Sequence, residues 1–146
     1  MALSANDAAD RVEQLIALTE RLVDLMGQDA ADFEARRPQD AAVRADETGR
    51  LANLYRHESM RVKRDPGLIA DAPADRRQRL TELTQQLDTV LRRHARSLEA
   101  AKTVTEGLIK AIADEAAAQR AATSGYGPGA TSPKGAATPL ALNRRA

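Results

Sequence analysis

The chain has 146 residues, no cysteine, no tryptophan, and 22 basic against 21 acidic side chains. Leu, Ile, Val and Phe together number 27, too few for a broad two-layer core but enough for narrow helix–helix seams. This composition excludes disulfides and thiolate metal sites, and the near-neutral balance excludes a strong overall field toward nucleic acid or membrane.

In chain order, the first ten residues are small and acidic, without a basic stretch leading into an apolar one, so no secretory signal is expected. A first helix is expected to start at Asn6 or Asp7, either of which can cap free backbone N–H groups. Val12, Leu15, Ile16, Leu18, Leu22, Leu25 and Met26 then fall on one broad helical stripe. Gly27 weakens this helix, Phe33 extends its stripe, and Pro38 breaks or kinks it, because proline lacks the N–H and clashes with the preceding turn. A second helix is expected from Gln39 to about Arg64, with sparse apolar positions at Val43, Leu51, Leu54, Tyr55 and Val62. Asp65-Pro66-Gly67 reads as a turn, and Pro73 suits the first position of a new helix.

The third helix is expected from about Pro73 to Ala122, roughly 75 Å long. From Ala74 to Ala122 there is no proline and one glycine, Gly107. Leu80, Leu83, Leu87, Val90, Leu91, Leu98, Ala101, Val104, Leu108, Ile112 and Ala116 form its seam, at the near-heptad spacing of coiled coils, with His94 as a polar interruption. Neither earlier helix is as long, so the two must cover the third in sequence or leave part of it bare. Residues 123–146 carry three basic side chains and no acid, and Gly and Pro make up seven of the 24. They are read as a disordered tail, with too little apolar surface to offset ordering entropy. The expected organisation is thus a helical domain over 1–122 and a basic tail over 123–146. The fold class is all-α: an elongated antiparallel bundle or coiled-coil hairpin with one long C-terminal helix.

Catalytic and metal chemistry find little support. A di-iron site in a helical bundle needs Glu-x-x-His pairs on facing helices, whereas His57 stands three residues after Leu54 and His94 three after Leu91. Both histidines are read as ordinary helix residues, with the His94 ring reaching toward water. Gly125-Tyr126-Gly127-Pro128-Gly129 lacks the strand, the helix and the correctly placed lysine of a phosphate loop. No nucleophile elbow occurs. No cofactor and no enzymatic activity are expected. The basic clusters Arg61-Val62-Lys63-Arg64, Arg76-Arg77-Gln78-Arg79 and Arg92-Arg93 have no aromatic residues between them for base stacking, and they are read as solvated helix faces rather than a nucleic-acid surface. No window approaches the length of a membrane-spanning apolar helix, so a soluble cytoplasmic protein without stable membrane insertion is expected. What remains is a surface of Val104, Leu108, Ile109, Ile112 and Tyr126. It either packs against the first helix or stays available to a helix of another protein.

Four stretches carry a resemblance to a known family: Gly49 to Glu58, Lys102 to Ile112, Gly125 to Gly129, and Leu142 to Ala146. With these, the chain resembles the FlgN-type flagellar export chaperones, in particular the alphaproteobacterial FlbY-like flagellar proteins. The resemblance implies an all-helical cytoplasmic chaperone that binds hook–filament junction proteins and delivers them to the flagellar export apparatus. It also implies client binding through the C-terminal part, which by position falls on Val104 to Ile112 and on Tyr126. Gly107 departs from an ideal docking helix, costing about 1 kcal/mol of helix stability relative to alanine. Two other readings suit the same composition: a phasin-like protein on granule surfaces, and a structural coiled-coil oligomer such as a homodimer.

Overall fold

The computed structural model describes residues 2–124. All regular structure among them is helical: α1 (Ala8–Glu34), α2 (Pro38–Ala42), α3 (Ala45–Arg64), α4 (Gly67–Ala70) and α5 (Ala74–Ser124). The protein is all-α, with the long C-terminal helix that the apolar spacing predicts. The tail proposed for 123–146 lies, from residue 125 onward, outside the described residues, and Tyr126 lies there too. The chain divides into two units, of which the described parts are 2–104 and 105–124.

In the first unit α1 is the central element. Asp7 caps it: its side chain accepts a hydrogen bond from the Asp10 N–H at 2.8 Å, while the Asp10 carboxylate accepts from the Asn6 N–H at 2.9 Å. The Asp10 N–H, which the helix leaves unpaired, and the Asn6 N–H just ahead of the cap are thereby satisfied. Val12, Leu15, Ile16, Leu18, Leu22 and Leu25 are all buried, so α1 is covered on more than one side. Val12 and Ile16 pack with Ala72 and Leu83, flanked by Ile69 and Leu80. Leu18 and Leu22 pack with Leu87, flanked by Leu51, Leu54 and Tyr55. Each fully buried leucine contributes about 2 kcal/mol of transfer free energy.

Ion pairs give the directions of the helices. Arg11 meets Glu58, Arg21 meets Glu47, and Arg44 meets Asp29, so α3 runs antiparallel to α1. Glu13 meets Arg76, Glu20 meets Arg79, and Glu34 meets Arg93, so α5 runs parallel to α1. The first unit is therefore an up-down-up bundle, antiparallel between successive long helices.

Three details differ from the sequence expectation. First, α1 stops at Glu34, before Pro38 is reached. Arg36 sits in the left-handed region at φ 60, with its N–H bonded to the Phe33 carbonyl (3.1 Å) and the Arg37 N–H to the Asp32 carbonyl (2.8 Å). That is the double hydrogen bond of a helix C-terminus that usually holds glycine. Pro38 then begins α2 instead of kinking α1, since its missing N–H costs nothing at a helix start. Second, the helix expected over 39–64 is interrupted at Val43 and Arg44. There the Arg44 guanidinium reaches back to Asp29 at 2.9 Å and also pairs with Asp32, while Val43 is left 85% exposed. Third, the Asp65-Pro66-Gly67 turn opens a single helical turn, α4. The Asp65 carboxylate accepts the Gly67 N–H at 3.1 Å, and Ile69 is delivered to the core. Pro73 stands just outside α5, its carbonyl accepting the N–H groups of Arg76 and Arg77.

Candidate functional site

In the first unit, cover on α5 ends where α1 ends. Leu83 and Leu87 are 2% and 3% exposed, and Ser97 is the last buried residue of the helix. Its hydroxyl donates to the Glu34 carboxylate at 3.1 Å, beside the two-pronged Arg93–Glu34 pair. Val104, which closes this unit, is more than half exposed.

In the second unit the described residues, 105–124, belong to α5, and all of them but the half-buried Ala116 are exposed. Leu108, Ile109 and Ile112 are 59%, 63% and 62% exposed. Leu108 and Ile112 are one turn apart, and Ile109 lies about 100° round the helix from Leu108, so the three form one apolar side. Three large aliphatic side chains in water represent transfer free energy that folding has not recovered. The Lys110–Asp114 pair, 2.9 Å, is an exposed one-turn bridge on the same helix. Gly107 has open space around the position a Cβ would take. No packing requirement therefore selects glycine there.

Other features of the first unit have the geometry of structural parts. The Glu58 side chain is fully buried, and its Oε1 accepts from the Leu3 N–H (3.0 Å) and Arg61 (3.1 Å) while Oε2 accepts from Arg11 (3.1 Å). Burial alone would raise its pKa, but the Leu3 N–H and the Arg61 charge outweigh it and hold the carboxyl below its usual 4.5. His57 is exposed, with Nδ1 3.5 Å from Glu58, and His94 meets the Phe33 ring edge-on at 5.6 Å. Among the described residues no cluster of three or more His, Cys, Asp or Glu could hold a metal ion. A crevice of about 500 Å3 is lined by Phe33, Ala41, Thr48, Gly49 and His94, and the buried Thr48 hydroxyl has no hydrogen-bond partner among the described residues. Sequence spacing did hold a signal for the buried pair: Arg11 stands four residues before Leu15, on the apolar side of α1, and Glu58 stands four after Leu54.

No helix among the described residues is long and apolar enough to cross a membrane. Fold and surface define an all-α protein whose last helix presents uncovered aliphatic side chains. No family model matches the chain, and no solved structure matches it. It is similar to the flagellar basal-body protein FlbY of Caulobacter vibrioides (strain ATCC 19089 / CIP 103742 / CB 15), with 56% identity over 130 residues, covering 88% of this chain and 87% of the relative. The chain belongs to this family of flagellar proteins.

Proposed function

We propose that the protein is a non-enzymatic cytoplasmic chaperone of flagellum assembly, of the FlgN type, which binds hook–filament junction proteins and hands them to the export apparatus. The observation that carries this reading is the exposure of Leu108, Ile109 and Ile112 on one side of α5. An apolar helix side of this kind is suited to an amphipathic helix of a client, which would shield the client's own apolar surface until export. Membership of a flagellar family supports the process. The basal-body name of the relative is also compatible with a structural part of the flagellum, and the experiment separates the two.

Co-expression of the full chain with a hook–filament junction protein should yield a soluble complex on size exclusion. Leu108→Asp combined with Ile112→Asp should abolish it while leaving the helical signal of the bundle in place, because both positions are exposed. Failure of the wild-type chain to form any complex with a junction protein, together with its appearance in isolated basal bodies, would overturn the chaperone reading. A stable homodimer that survives without partner and is lost in the same double variant would replace it with self-pairing.

A further inference from the structure

A second surface with a different chemistry lies on α3. From Gly49 to Arg64 this helix carries Arg50, Arg56, Arg61, Lys63 and Arg64 against a single acid, Glu58. Glu58 is fully buried and committed to Arg11, Arg61 and the Leu3 N–H, so it offers no negative charge to the outside. Arg50, Arg56, Lys63 and Arg64 are exposed. Arg56 donates to the neutral Asn53 side chain at 2.8 Å. The acids nearest in sequence stand at the two ends: Asp46 and Glu47 in the first turn, the latter held by Arg21, and Asp65 at the C-cap, which accepts the Gly67 N–H.

Arg50, Leu54, His57, Arg61 and Arg64 follow one another at three- and four-residue steps, so they form one ridge along the helix. Met60, 53% exposed, and the half-buried Leu54 supply an apolar strip beside the charges, within a surface recess that Arg50 and His57 also line. Guanidinium groups spaced by single turns match carboxylates spaced by single turns, and each can take a carboxylate in two-pronged fashion. Met60 is an adaptable apolar contact for whatever lies between them. No aromatic side chain on the ridge could stack a base, and one exposed methionine is too little apolar surface to enter a bilayer.

We propose that the outward face of α3 is a docking surface for an acidic amphipathic helix of a partner protein, distinct from the aliphatic side of α5. The chain's own C-terminal segment is a poor occupant, because residues 123–146 carry only basic charges.

The probe is a labelled peptide helix with leucines on one side and glutamates on both flanks, measured by fluorescence anisotropy against the full-length protein. Controls are a scrambled peptide of the same charge and a lysine-for-glutamate peptide. The amphipathic acidic probe should bind about tenfold tighter than the scrambled one and lose most of its affinity in high salt, while the lysine peptide should not bind. Arg50→Glu with Arg64→Glu should weaken binding at least tenfold, and Leu108→Asp with Ile112→Asp should leave it unchanged. The milder Arg50→Gln with Arg64→Gln serves should the charge reversal disturb folding. No binding, equal binding of the scrambled peptide, or insensitivity to the α3 variants would overturn the proposal. Preference for duplex DNA or phosphatidylglycerol vesicles over the probe, abolished by the same α3 variants, would overturn it in favour of those anionic surfaces. Because the α5 variants are read in parallel, failure here leaves the chaperone reading standing, and the reverse.

Discussion

Glu58 shows how much a single buried charge demands of its surroundings. Its carboxylate is out of water and three donors converge on it, from the N-terminal segment, α1 and α3. Removing it leaves Arg11, which is 8% exposed, as an uncompensated buried cation. Glu58→Ala should therefore cost about 3 kcal/mol in urea denaturation, far more than Glu47→Ala, which removes a half-buried partner of Arg21 on the same helix. Thr48 is the opposite case. Its hydroxyl is buried with no partner among the described residues, so Thr48→Val keeps the shape and deletes the unsatisfied group. The variant should be as stable as the wild type or up to about 1 kcal/mol more stable by the same assay. Arg36 holds a left-handed backbone that a Cβ disfavours. Arg36→Gly should stabilise the C-terminus of α1 by about 1 kcal/mol, and a loss of stability would mean that the arginine side chain compensates for the strain.

At the scale of elements, the helices written in local chemistry were legible in the sequence and those bent by distant partners were not. The start of α1 follows from Asp7, and its buried stripe from the spacing of Val12 to Leu25. The extent of α5 follows from the lack of proline between Ala74 and Ala122. The stop at Arg36 and the interruption at Val43–Arg44 could not be read this way. One depends on an arginine accepting a glycine's conformation, the other on Arg44 reaching Asp29 and Asp32, fifteen and twelve residues away. Of the surface residues singled out, Leu108, Ile109 and Ile112 were legible as a widened stripe on a helix longer than either neighbour, and Val104 as part of the same seam. Tyr126 falls outside the described residues. Glycine at 107 is the element-level oddity, since its Cβ position is empty. Gly107→Ala should raise helicity at 222 nm and stabilise that stretch of α5 by up to about 1 kcal/mol. If the glycine serves docking by letting the helix bend, the same variant should weaken binding of a junction protein; if it serves nothing, affinity should hold or improve.

At the scale of the whole molecule, α1 is tied to both neighbouring long helices by carboxylate–arginine pairs, which makes acid the natural test of the bundle. Arg76 beside Glu13 and Arg93 beside Glu34 hold those carboxyls below their usual 4.5, and Glu58 is held below it by the donors already described. A carboxyl whose folded pKa is depressed is protonated first in the unfolded chain. The unfolded state then binds more protons below about pH 4.5, and stability falls as pH falls. The contribution is fully present above that value and is lost as pH descends through the depressed folded values. The thermal midpoint should accordingly be insensitive to these three groups from about pH 8 to pH 5 and decline below about pH 4.5. Salt separates their shares. Glu13 and Glu34 pair at the surface, where molar salt shortens the screening length to about 3 Å, whereas the buried Glu58 side chain is shielded from ions. In high salt the share of these three that remains should therefore belong mainly to Glu58. Glu58→Gln, which has no carboxyl to titrate, should start from a lower midpoint and decline less steeply than the wild type. An identical slope in the variant would mean that the buried carboxylate does not couple folding to protons and that the surface pairs carry the acid sensitivity.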